Sequence, residues 1–201
     1  MSAALVAGLV AGYGIAIPVG AVGTYLMALT ARTSLRLGAA AALGVATADG
    51  LYALLSVAGG SVLVPLIHPI AEPLRWVSAA VLVVLAVRGA AKAVTGYRRP
   101  QEVSGRELTD PARAYVVLLG ITLVNPMTLI YFSALVLGGP TSGDGLVFVL
   151  AAFAASASWQ LLLAGGGALL GRLLAGPRGR LATALVSSAV IVGLAAGLLA
   201  W

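Results

Sequence analysis

The chain has 201 residues, of which 61% are hydrophobic and only 9% charged, and its mean hydropathy is +1.07. A soluble domain carries roughly 25% charged residues, so the composition excludes a water-soluble globular protein and points to an all-α polytopic membrane protein. The absence of cysteine excludes disulfides, iron–sulfur clusters and thiolate zinc sites, and the net charge of +6 follows the loops rather than forming a nucleic-acid surface.

Six apolar runs follow one another along the chain. The first, 3–31, carries no charge. The second, 37–71, contains a single one, Asp49, and its helix is expected to end near Gly59. The third begins near Leu74 and fades past Arg88 and Lys92; the fourth covers 114–138, the fifth 145–171 and the sixth 181–201. Crossing about 30 Å of hydrocarbon takes roughly 20 helical residues, so six transmembrane helices are predicted. The first run lacks a basic leader and is too long for the apolar part of a signal peptide, so it reads as a span.

Local signals mark the helix ends. Glu72-Pro73 and Asp110-Pro111 set an acid beside a first-turn proline, which predicts helix starts. Asp144 is placed to cap the fifth helix, and Gly138-Gly139-Pro140 ends the fourth. His68, between Pro65 and Pro69, reads as an outer-loop residue rather than a metal ligand.

All but one of the twelve Lys and Arg residues fall in odd-numbered loops. Arg32 and Arg36 follow the first span. Arg88, Lys92, Arg98, Arg99, Arg106 and Arg113 surround the link between the third and fourth. Arg172, Arg178 and Arg180 follow the fifth, whereas the even loops hold only Arg75. Cytoplasmic loops are enriched in these residues, so both termini are expected outside. Trp76 and Trp201 then sit at outer boundaries, where interfacial aromatics anchor spans.

The hydrophilic linker, about 97–112, separates three spans (about 1–96) from three more (about 113–201) in a single transmembrane domain. Three is odd, so the halves enter the membrane from opposite sides, the inverted-repeat arrangement of many secondary transporters. Two pairs of segments agree in register. "GIAIPVGAVGTY" (14–25) resembles "GITLVNPMTLIYF" (120–132), and "ATADGLYALLSVAGG" (46–60) resembles "ASASWQLLLAGGGA" (155–168), each pair about 108 residues apart.

Pro18 and Pro126 therefore break the first helix of each half at corresponding depths. A proline inside a helix removes a backbone hydrogen bond and costs roughly 3 kcal/mol, and broken backbone is tolerated within lipid only when buried in protein or lining a cavity. Half-helix N-termini suit a carboxylate, freed carbonyls suit an ammonium, and Asn125 adds an amide, so the breaks together are fitted to a zwitterion. The bland alternative is a pair of kinks that serve packing only.

Asp49 lies halfway along the second span, where a carboxylate costs roughly 2.5–3.5 kcal/mol on insertion scales. Such a residue is by default functional, so Asp49 is read as proton carrier, as ligand to a substrate ammonium, or as both in alternation. The alternative is a neutral acid bonded to a neighbouring helix. Thr47 and Tyr52 accompany it. The corresponding region of the second half holds Ser156, Ser158, Trp159 and Gln160. Trp159 either walls a cavity or fills core, and Gln160 provides an interhelical bond or a cavity contact. The Gly-xxx-Gly spacings at Gly167–Gly171 and Gly193–Gly197 permit close helix packing and carry no functional signal.

With these motifs in view, the chain resembles the lysine exporter (LysE/RhtB) family of bacterial inner-membrane amino-acid exporters. The resemblance rests on "IPVGAVG" (17–23), "GVATADGLYALL" (44–55) and "NPMTLIYFSALVLG" (125–138) and extends over essentially the whole chain. It implies proton-driven export of amino acids or related small metabolites, with Pro18, Gly20, Asp49, Asn125 and Pro126 in the conduction site. It also implies protons as coupling ion, the lipid bilayer as surroundings, and no cofactor; a homodimer stays open. Two departures bear on the substrate: family members often carry Pro-Gly-Pro where this chain has Pro18-Val19-Gly20, and many follow Asn-Pro with lysine where it has Met127.

Two other classes compete. A divalent-metal exporter needs several oxygen, nitrogen or sulfur ligands, and Asp49 is the only acid at depth. An intramembrane enzyme needs converging catalytic groups; the sequence has no His–acid pair, no paired carboxylates and no phosphate loop. A non-transporting assembly subunit belongs to the same third class.

Overall fold

The computed structural model describes residues 3–17, 20–98, 110–125, 128, 144–173 and 177–199. Through these run α1 (Ala3–Ala16), α2 (Ala21–Arg32), α3 (Leu35–Arg98), α4 (Pro111–Val124), α5 (Gly145–Leu173) and α6 (Pro177–Leu199), with no strand among the described residues. The segment Leu35–Gly59 of α3 and the whole of α5 are each long and apolar enough to cross a membrane. The pair α1 and α2, bent by 74° at its break, makes a third if it is counted as one span, and α4 and Leu181–Gly197 are shorter apolar helices.

The first apolar run is interrupted. Helix α1 stops at Ala16 and α2 starts at Ala21, on either side of Pro18, which, like Pro126, lies outside the described residues. Gly20 opens α2 in extended conformation (φ −87°, ψ −168°), and its carbonyl accepts from Thr24 N and from Thr24 Oγ1, both at 3.0 Å. Helix α4 starts as Asp110-Pro111 predicts: the Asp110 side chain accepts from Ala112 N at 3.1 Å and proline takes the first helical position. It ends at Val124, because Asn125 turns to extended backbone (φ −76°, ψ 108°). The Asp144 carbonyl accepts from Phe148 N at 3.1 Å as α5 begins. The Gly138-Gly139-Pro140 stop and Trp201 lie outside the described residues.

The second span is expected to end near Gly59, and there α3 is kinked: Gly59 is non-helical (φ −151°, ψ 22°) and joins two helices, Leu35–Gly59 and the stretch that runs on to Arg98. The loop expected after it is corrected, because the described backbone beyond Gly59 is helical. The backbone around His68 is helical rather than looped, and Glu72-Pro73 starts no helix. Pro65, Pro69 and Pro73 recur every four residues, so their missing donors fall on one stripe and the rest of the ladder is kept. The pair Glu72 and Pro73 is exposed.

Packing crosses between the two ends of the chain. Helix α5 lies against α1, α2 and α3, while α4 and α6 lie against α3. Close approaches fix the register. Gly8 meets Phe148 and Ala151, Gly12 meets Ala152 and Ala155, Gly167 meets the Met27 backbone and Gly171 the Ala31 backbone. Gly8 and Phe148, Gly12 and Ala152, Met27 and Gly167, Ala31 and Gly171 are each 140 positions apart, so α1 and α2 both run in the direction of α5, with a 74° bend between them. Gly44 of α3 meets Tyr115 and Leu119 of α4 in the same way. Hence α1 rests on α5 and α4 on α3, each on a helix from the opposite side of the linker. The identical spacing at Gly193–Gly197 makes no such contact, with open space around both.

The core between these helices is built from small residues and a few large ones. Leu26, Val45, Leu118 and Ala164 share one buried cluster, and Tyr52, Ala53 and Ala152 another beside it. At the end of α2, Arg32 reaches across to α6, donating from Nη2 to Ala184 O (3.3 Å) and Ser187 Oγ (3.0 Å), with Nη1 resting over Gly89 of α3.

Candidate transport site

Asp49 is buried in the middle of the Leu35–Gly59 segment, 3% exposed. The turns around it are rich in alanine and glycine, so neighbouring helices come close enough for a short side chain to reach across. Ser156 of α5, wholly buried, donates from Oγ to Asp49 Oδ2 at 2.6 Å, a length typical of a hydroxyl on a carboxylate. One residue further along α3, a Cβ on Gly50 would stand 3.1 Å from the Phe153 ring, so α5 is pressed against the chain at this level.

The two polar neighbours anticipated on α3 connect it to α4 instead. Thr47 Oγ1 donates to Leu43 O at 2.8 Å and accepts from the Tyr115 hydroxyl at 3.0 Å. The Tyr52 hydroxyl donates to the Leu123 carbonyl. That carbonyl belongs to the last turn of α4, where a helix leaves its final carbonyls without intrahelical partners. Tyr52 thus stabilises the break that Asn125 begins, and Asn125 N donates to Thr122 O at 3.1 Å to tighten the same turn.

Along α3, therefore, Thr47 and Tyr52 bond to Tyr115 and the end of α4, while Asp49 bonds to Ser156 of α5. Trp159 and Gln160 lie one turn beyond Ser156 on α5. Trp159 packs beside the cluster of Leu26, Leu118 and Leu163, and its Nε1 is buried without a hydrogen-bond partner among the described residues, as is Gln160 Oε1. Gly20 stands apart from this group: it is exposed, with open space where a Cβ would be. Among the described residues, no three His, Asp or Glu side chains converge in a metal-binding group.

Sequence reasoning did not pair Ser156 with Asp49, although it noted both, and it missed Tyr115 and Leu123. Asp49 and Ser156 are 107 positions apart, close to the offset of about 108 between the similar segments of the sequence.

The model of the family described as LysE type translocator matches residues 14–200. The chain belongs to that family. A LysE type translocator is a membrane transporter rather than an enzyme, so the chain is a multi-pass membrane exporter of amino acids or related compounds, with a small-molecule substrate and lipid around it. The match begins at Gly14, ahead of the interruption between α1 and α2, and runs through the whole of α5 and α6, so the Asp49–Ser156 contact lies within it. No curated protein and no solved structure matches the chain.

Proposed function

We propose that the protein is a proton-coupled exporter of amino acids or related small metabolites that works by alternating access in the bacterial inner membrane. In this reading residues 1–96 and 113–201 are inverted three-span repeats, the linker 97–112 is cytoplasmic, and both termini are outside. The observation that carries it is the buried carboxyl of Asp49, held by Ser156 from the other half of the chain. A group shared between halves that rock against each other is differently enclosed in the inward-open and outward-open states. Asp49 takes a proton from outside as substrate leaves and releases it inward on return.

The packing supports the repeat. The first helix of each half rests on the second helix of the other, α1 on α5 and α4 on α3, which is what a pseudo-two-fold axis between them requires. The substrate is read as lying where the first helices are broken. The start of α2 at Gly20 and the end of α4 at Asn125 bring helix-terminal backbone, with its partial charges, to carboxylate and ammonium, with Pro18 and Pro126 read as setting the breaks. Thr47, Tyr52, Trp159 and Gln160 form the polar and aromatic boundary next to Asp49.

The test is efflux from proteoliposomes preloaded with a mixed amino-acid pool, comparing wild type, Asp49→Asn and empty vesicles with and without a proton gradient. Selective, gradient-dependent loss of a solute in wild type only is expected. Equal gradient-driven efflux from Asp49→Asn removes Asp49 from the mechanism, and no difference from empty vesicles for any solute removes the amino-acid reading.

A further inference from the structure

Hydroxyls in these helices satisfy themselves on their own backbone. Thr30, Thr47, Thr122 and Thr183 each donate to the carbonyl four residues back at 2.8–2.9 Å, and Ser158 and Ser187 to the carbonyl three back. Ser56 does not. It is 1% exposed, its Oγ has no partner among the described residues, and the carbonyl of Tyr52 one turn back is left unused by it. Gln160 Oε1 and the adjacent Trp159 Nε1 share that condition, with Gln160 only 6% exposed.

Their placement relative to Asp49 is ordered. Asp49, Tyr52 and Ser56 are spaced i, i+3, i+7 on α3, and Ser156 and Gln160 are spaced i, i+4 on α5, so each set shares a helix face. Helices α3 and α5 are antiparallel here, since Asp49 meets Ser156, Gly50 meets Phe153 and Val57 meets Gly145. Ser56 and Gln160 therefore lie on opposite sides of Asp49 along the bundle. At 1.5 Å per residue Ser56 is roughly 10 Å from the Asp49 level, and Gln160 roughly 6 Å from it the other way. An amino acid is too short to reach both. Gly59, three residues past Ser56, interrupts the helical ladder and adds backbone polar groups beside it.

A buried polar atom within a membrane protein is normally completed by protein or by ordered water. We propose that Ser56 and Gln160 each hold ordered water, one on either side of Asp49, and that these waters are the route by which protons reach and leave its carboxyl. The inference rests on the reading of Asp49 as the proton carrier. A proton passes along hydrogen-bonded waters from the Ser56 side to the Asp49 carboxylate, each water taking one proton from its outer neighbour as it gives one up. Later the Asp49 carboxyl gives its proton to the waters on the Gln160 side, which pass one on to the inner solution, so that every water is left as it began. Trp159 Nε1 and Gln160 Oε1 together offer that inner water a donor and an acceptor.

The experiment is radiolytic hydroxyl-radical labelling of the purified full-length protein, which oxidises buried side chains next to bound water, each rate being normalised to that residue in the unfolded chain. Tyr52 and Trp159 are expected to be labelled in wild type. Ser56→Ala should lose the label at Tyr52 and Ser56→Thr should restore it, and Gln160→Leu should lose the label at Trp159. Absence of label from both residues in wild type, or label indifferent to these substitutions, overturns the proposal even where efflux from wild-type vesicles is normal. Conversely, the expected labelling with no solute moved refutes the exporter reading and leaves the water in place. For the proton route itself, Ser56→Ala should slow gradient-driven net efflux of the amino-acid pool by about 10-fold or more, as loss of a positioned proton-transfer group does. Exchange of solute across vesicles without a gradient needs no proton movement and should persist. Equal slowing of both modes, or of neither, overturns the route.

Discussion

Gly167–Gly171 and Gly193–Gly197 have the same spacing and opposite surroundings, so one substitution type tests the packing directly. A Cβ on Gly167 would stand 2.5 Å from Met27 O, and one on Gly171 closer still to Ala31 O. Non-bonded carbon contacts are optimal at about 3.5 Å, and both obstacles are backbone, which cannot rotate away. Helices α2 and α5 must therefore separate by about an ångström, which overpacking data put at roughly 1–3 kcal/mol. At Gly193 and Gly197 nothing lies within 4 Å. Replacing glycine by alanine within a helix also gains about 0.8–1 kcal/mol of propensity, but that gain is common to all four sites and cancels in the comparison. Gly167→Ala and Gly171→Ala should thus melt below Gly193→Ala and Gly197→Ala by about 2–12 °C, at roughly 2–4 °C per kcal/mol for a chain of this size. The assay is thermal unfolding of the purified protein in detergent, read by tryptophan fluorescence and by loss of the monodisperse chromatographic peak. Equal melting temperatures for the two pairs would refute the close approach of α2 to α5, and with it the parallel register of the interrupted span.

Three further outcomes are expected. Tyr52→Phe strips the Leu123 carbonyl of its donor and should cost about 1–3 kcal/mol, whereas Tyr115→Phe should cost about 1 kcal/mol or less because Thr47 keeps its bond to Leu43 O; the same melts compare them. Arg32→Ala removes two guanidinium bonds to α6 and should destabilise by about 1.5–3 kcal/mol. Gly89→Ala merely presses on the tip of a flexible side chain and should cost about 0.5–1.5 kcal/mol; a larger loss from Gly89→Ala than from Arg32→Ala would contradict the geometry. Asp110→Ala removes the cap of α4, with about 1 kcal/mol lost, visible as faster hydrogen exchange at Ala112 N with efflux unchanged.

Much of this was legible because membrane chains obey strong local rules. The interruption of the first span follows from Pro18, the cap of α4 from Asp110-Pro111, and the kink of α3 from Gly59, each a backbone effect that acts within a turn. The continuity of α3 was not legible. Pro65, Pro69 and Pro73 each signal a break when read singly, yet the described backbone through them is helical. Asp49 was legible as the acid at depth in the second span, and the structure buries it there. Its partner was less so, because helix crossing decides which of Ser156 and Ser158 faces it, and crossing depends on glycine contacts such as Gly8–Phe148 that no local rule selects. Ser56 was invisible in the sequence: a serine in a helix is unremarkable until its buried hydroxyl is seen to lack a partner among the described residues.

The crossed packing of α1 on α5 also bears on how the protein is made. Gly12 and its partner Ala152 are separated by 140 residues, which a ribosome adding about 5–20 residues per second covers in roughly 7–28 s. Throughout that interval the faces of α1 and α2 that receive α5 are covered by something other than α5, lipid being what surrounds a membrane span. Helix α5 must displace it, so this packing forms late, with only α6 still to follow against α2 and α3.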